Sequence, residues 1–134
     1  MKYLIDAYAW IEYLEGSKLG EKVREIMVGK DDLFSLSLTI SEVISKVKRK
    51  NGNTDLAYKA ITSNSKILNI SPEIAKQAGL FHAEMRKKIE NFGLVDSLLL
   101  ALARELKAKI LTGNHHFKNF KEAIFINQNQ KRKK

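Results

Sequence analysis

The stretch MKYLIDAYAWIEYL, Met1 to Leu14, decides the reading of the chain. Tyr3, Leu4 and Ile5 form a short apolar run that ends at a carboxylate, Asp6. The period then changes: Ala9, Trp10, Tyr13 and Leu14 are spaced like one face of a helix. A buried strand that hands over to a helix through an acidic residue opens many parallel sheets. In such sheets sites form beyond the carboxyl ends of the strands, so Asp6 is the first candidate functional residue.

Further along, short apolar runs and helical stretches alternate. Ser17 opens a second helix with Leu19, Val23, Ile26 and Met27 inward and Gly29 as its stop. Leu33–Ser37 reads as a second strand, and Thr39 as the start of a third helix carrying Ile40, Val43, Ile44 and Val47. Asn53 or Thr54 starts a fourth helix, and residues 66–70 form a third strand. Ser71-Pro72 opens a helix running to Asn91. Gly93 breaks that pattern, and Asp96 begins a largely apolar, buried helix to Leu106. Residues 109–112 and 123–126 are the last two strands. No hairpin signal joins any two strands, which argues for an α/β domain with a mostly parallel five-stranded sheet and helices on both faces. One domain is expected over residues 1–126, followed by a basic, disordered tail over 127–134.

The chain has 134 residues, no cysteine and a formal charge of +9. Without cysteine, disulfides, thiolate metal sites and cysteine nucleophiles are excluded. No apolar run is long enough to span a bilayer, and Lys2 followed by so brief an apolar run argues against a signal peptide. A cytoplasmic location is expected. The positive charge favours a polyanionic partner such as nucleic acid.

Three acidic residues occupy comparable places: Asp6 after the first strand, Glu42 early in the third helix, and Asp96 early in the buried helix. Each has a structural explanation. Asp6 can be an N-cap, Thr39-Ile40-Ser41-Glu42 matches a capping box, and Asp96 can cap its own helix. Together they also suit a hard divalent cation, Mg²⁺ or Mn²⁺, which prefers oxygen ligands. Glu42, Lys46 and Arg49 share one helix face, as a Glu–Lys pair or as a phosphate-binding rim beside such an ion. Arg86-Lys87-Lys88 reads as a solvated helix face. Trp10 is either core or an exposed anchor for a partner, while Leu14 reads as core.

Four blocks resemble the PIN-domain nucleases, and within them the VapC-type toxins of toxin–antitoxin pairs. They are Tyr3-Leu4-Ile5-Asp6, Leu36-Ser37-Leu38-Thr39-Ile40-Ser41-Glu42-Val43, the run Gly93 to Ala103 around Asp96, and Ile110-Leu111-Thr112-Gly113-Asn114-His115-His116-Phe117. The resemblance implies a three-layer α/β/α fold and a Mg²⁺- or Mn²⁺-dependent endoribonuclease that forms a homodimer and is inhibited by a cognate antitoxin. It implies Asp6, Glu42 and Asp96 as metal-binding acids. Apart from the resemblance, Thr112 is a candidate hydrogen-bond partner for one of these acids, and Lys46 and Arg49 are the candidate RNA contacts of the rim read above. Many members carry an aspartate where this chain has Asn114, although some carry asparagine. An amide oxygen can coordinate or orient a water but adds no negative charge, which weakens a second metal more than the first. The competing reading is a catalytically weakened PIN-like module that binds RNA or protein. His115 and His116, as neighbours on an extended stretch, would face opposite ways and read as solvated loop histidines. A phosphoryl-transfer receiver domain fits poorly, because the third strand ends at Asn69-Ile70 with no aspartate to accept phosphate.

Overall fold

The structure, a computed structural model, describes residues 1–127. The expected basic tail lies, beyond Asn127, outside the described residues. Five strands, β1 (Lys2–Ile5), β2 (Asp32–Leu36), β3 (Lys66–Leu68), β4 (Lys109–Thr112) and β5 (Ala123–Phe125), form one sheet in the order β3-β2-β1-β4-β5. Every pairing is parallel. Six helices pack on it: α1 (Ala7–Glu15), α2 (Lys18–Met27), α3 (Ser37–Arg49), α4 (Thr54–Asn64), α5 (Pro72–Met85) and α6 (Leu94–Leu106).

Alternation along the strands builds two cores. Leu4, Leu36 and Ile110 face one side, where they meet Ile74 and Ala78 of α5 and the buried leucines of α6. Tyr3, Ile5 and Leu111 face the other, against Trp10, Val23, Val43 and Ile61 from α1–α4. The result is a three-layer α/β/α domain. Trp10 belongs wholly to the second core. It is fully buried, its Nε1 donates to Ser35 Oγ at 2.9 Å, and Ser35 Oγ lies 2.8 Å from Ser65 Oγ. An anchoring role for Trp10 on an exposed groove is thereby excluded. Leu14 is half-buried against the same core.

Helix starts with a side-chain cap fall where the sequence places them. Ser17 accepts from Gly20 N, Asn53 from Leu56 N and Ser71 from Ile74 N, each relieving an orphan donor of the first turn. Two other boundaries differ. The third helix starts at Ser37, directly from β2, with Leu36 as N-cap and no side-chain cap. Thr39 and Glu42 therefore form no capping box: Thr39 is one turn too deep, its Oγ1 buried without a hydrogen-bond partner among the described residues, and Glu42 lies in the second turn. The fifth helix ends at Met85 rather than Asn91. Arg86, Lys87 and Lys88 are exposed on the turns that follow, not on a helix face. Asn91, with φ of 64°, then redirects the chain so that Phe92 enters the core. The sixth helix starts at Leu94 with Gly93 as its N-cap.

From β1 the chain moves outward through β2 to β3, then crosses back to place β4 on the other side of β1. The strand order reverses between β1 and β4. A crevice opens at such a point beyond the carboxyl ends of the strands.

Candidate metal centre

Asp6 leaves β1 at that reversal and is the N-cap of α1. Its backbone N donates to Leu111 O of β4 at 3.2 Å. Its carboxyl is buried, with Oδ1 accepting from Ala9 N at 2.9 Å and Oδ2 accepting from the Thr112 hydroxyl. Thr112 closes β4 and accepts in turn from Asn114 N at 2.9 Å. Thr112 thus fixes Asp6 across 106 residues of sequence.

Asp96 stands in the first turn of α6, where Oδ2 accepts from Gly93 N at 2.9 Å. The same oxygen lies 3.1 Å from His116 Nδ1. The expectation of a solvated loop histidine fails for His116, whereas His115 is exposed as expected. His115–Phe117 is a 3-10 turn whose first free amide, His116 N, donates to Asn114 Oδ1 at 2.9 Å. That turn carries the His116 ring inward, leaving its side chain 19% exposed. The Asn114 oxygen is engaged by this turn, and its Nδ2 faces Asp96 Oδ1 at 3.5 Å. The Asn-x-His spacing of an Asx turn is the signal that could have found the arrangement.

Glu42 projects from α3 at the rim, beside Lys46 and Arg49, and all three line one cleft with Tyr8 and Ile11 of α1. The shared face expected for Glu42, Lys46 and Arg49 is present. Tyr8 and Gly113, both bordering the acids, were missed in the sequence. Tyr8 lies off the apolar stripe of α1, and a glycine after a strand reads as an ordinary turn.

The charges of Asp96 and Glu42 bear on Asp6, and that of Asp96 on Glu42. Burial pushes the Asp6 carboxyl up to about 7; the hydrogen bonds from Thr112 and Ala9 oppose this, and the charges of Asp96 and Glu42 add to it. Glu42 is raised by partial desolvation and then by Asp96. Among the described residues no three His, Cys, Asp or Glu side chains are already closed around a point that would hold a metal ion. The donor set nonetheless fits a hard divalent cation: the acids supply only oxygen, they repel each other, and one is held in a dry site where a countercharge is favoured.

The PIN-domain family profile matches residues 3–123. No curated protein matches the chain. Among solved structures, the chain is similar to a toxin–antitoxin complex from Klebsiella pneumoniae, at 20% identity and a TM-score of 0.74 over 95% of this chain and 99% of that one. It is also similar to VapC20 of Mycobacterium tuberculosis, described as a sarcin-ricin loop cleaving toxin, at 13% identity and 0.70 over 87% and 92%. A third is VapBC2 of Rickettsia felis bound to a fragment of its promoter DNA, at 19% identity and 0.71 over 93% and 97%. At these identities the likeness is one of fold. With the profile spanning nearly every element of the sheet and helices described above, the chain belongs to the PIN-domain family.

Proposed function

We propose that the protein is a metal-dependent endoribonuclease, the toxin of a VapBC-type pair held in check by a cognate antitoxin. The observation that supports this reading is the buried Asp6 at the β1/β4 reversal, whose carboxyl is raised by burial and further by the charges of Asp96 and Glu42. The proposed partners are RNA, the antitoxin and a second copy of the chain, and the proposed location is the cytoplasm. Among the described residues no helix is long and apolar enough to cross a membrane.

Asp6 and Asp96 would hold Mg²⁺ or Mn²⁺, with Glu42 closing the site from the cleft. When bound, such an ion supplies Lewis-acid charge neutralisation and activation of water. The chain's own residues do the rest. Thr112 and Ala9 N orient Asp6, and Gly93 N and His116 orient Asp96. Lys46 and Arg49 offset phosphate charge along the cleft. Water adds to phosphorus in line, the bond to O3′ breaks, and a 5′-phosphate and a 3′-hydroxyl remain.

Purified protein should cleave mixed RNA with Mg²⁺ or Mn²⁺ and stop when EDTA is added; cleavage indifferent to EDTA would refute the reading. His116 should behave as an orienting group for Asp96. His116→Ala is expected to lower the cleavage rate by about 10- to 100-fold with an unchanged circular dichroism spectrum. His116→Asn, which keeps a donor near Nδ1, should recover most of the rate; equal loss in both variants would remove His116 from this role. The weakened binding module remains the second reading, favoured by one feature: position 114 faces Asp96 with an amide donor where many relatives add a carboxylate.

A further inference from the structure

Tyr8 is the residue beside the acids that the proposed chemistry leaves unused. It stands two positions after Asp6 on α1 and is 40% exposed. Its ring abuts the backbone of Gly113, the residue after Thr112. A Cβ on Gly113 would fall 2.1 Å from Tyr8 Cε1, 2.4 Å from Cδ1 and 2.6 Å from Cζ. Only a residue without a side chain leaves room for the ring there. Gly113 follows Thr112 and Tyr8 lies two residues after Asp6, so the ring stands beside the hydrogen-bonded pair of Asp6 and Thr112.

The exposed part of Tyr8 lines the cleft that also holds Glu42, Ser45, Lys46 and Arg49. Arg49 Nε is 3.4 Å from Ser45 Oγ, which directs the guanidinium along α3. The α1 wall of the cleft carries the Tyr8 ring and Glu12, and the α3 wall carries Lys46 and Arg49 beside Glu42. Single-stranded nucleic acid is recognised by that combination, with bases stacked on aromatic rings while cations follow the backbone. A duplex keeps its base faces covered and cannot use the ring.

We propose that Tyr8, seated on Gly113, is the stacking platform for one unpaired base of RNA beside the phosphate to be cut, with Lys46 and Arg49 holding the adjoining backbone. This rests on the nuclease reading for what the site does next. Stacking itself requires no cleavage and can be measured without metal.

The probe is a short adenine oligoribonucleotide titrated in EDTA, against an abasic oligomer with the same backbone. Tyr8→Trp should report binding directly by quenching of its emission, over a constant background from the buried Trp10. Tyr8→Phe should bind the adenine oligomer as the parent does. Tyr8→Ala and Tyr8→Leu should bind it roughly tenfold or more weakly, Leu keeping bulk against Gly113 without a π face. All variants should bind the abasic oligomer equally. If Tyr8→Leu binds the adenine oligomer like the parent, or loses affinity equally for both oligomers, the proposal is overturned. The two readings separate cleanly. A parent that binds through Tyr8 yet cuts no RNA with metal keeps the platform and loses the nuclease. A parent that cuts RNA while Tyr8→Leu binds unchanged loses the platform alone.

Discussion

Asp6→Asn should abolish cleavage and, in the same protein, raise the melting temperature of the metal-free form at pH 8. The two effects share one cause. Asp6 is buried at the end of β1, and burial raises its carboxyl from 3.8 to about 7. The native state therefore binds this proton more tightly than the unfolded chain does. Below pH of about 4 the group is protonated in both states and contributes nothing. As pH rises through the window to about 7, the unfolded chain gives up the proton freely while the fold does not, and stability falls; above 7 the penalty is complete. A shift of this size sets a ceiling on the order of 4 kcal/mol. Asparagine keeps an oxygen for Ala9 N and an amide for Thr112 Oγ1, and it carries no charge to desolvate. A gain of about 5 °C is expected at pH 8 in EDTA, shrinking towards zero near pH 4. Mn²⁺ should stabilise the parent and leave the variant unchanged. A gain that is the same at both pH values would show that charge burial is not its source.

Gly20→Ala should strongly destabilise the fold. Gly20 is buried in the first turn of α2, pressed against the end of α1. A Cβ there would sit 2.2 Å from Glu12 O, 2.7 Å from Glu12 C and 2.8 Å from Tyr13 Cα. All three atoms are backbone, so no side chain can turn away. Relief requires α2 to lift from α1, which strains the Ser17 cap and unpacks Val23 from the core around Trp10. Overpacking of this kind costs about 3 kcal/mol, or a fall in melting temperature on the order of 10 °C. Gly79→Ala is the control. Gly79 is exposed within α5, with nothing within 4 Å of a new Cβ. There the better helix propensity of alanine should add about 0.5–1 kcal/mol. The same chemical change thus has opposite signs at two helical glycines, and differential scanning calorimetry reads both. Melting of Gly20→Ala at or above the parent would deny the close crossing of α1 and α2.

What could be read in advance was local. Ser17, Asn53 and Ser71 announce helices because the cap and the amide it satisfies are three residues apart. The parallel sheet follows from alternation of short apolar runs with helices, and all five strands lie where those runs predict, within one or two residues. The start of α3 was misread because Leu36 passes from strand to helix with no polar signal, while Thr39 and Glu42 imitate one two residues later. The pairing of Asp6 with Thr112 depends on β4 returning beside β1, a matter of strand order that spacing does not encode. Only the family resemblance assigns Asp6, Glu42 and Asp96 to one site; spacing along the chain does not. His116 was misjudged because an extended backbone was assumed where Asn114 winds a 3-10 turn. Tyr8 depends on a glycine 105 positions away in the chain, so neither residue signals the other.

The outermost strands, β3 and β5, are three residues each, and Lys66 sits exposed at the start of β3. Rims so short and partly charged make poor templates for another chain's strand. Lateral growth of the sheet, whether into a continuous two-copy ribbon or into fibres, is disfavoured at both margins. Any pairing of two copies would then proceed through helical faces rather than by extending the sheet.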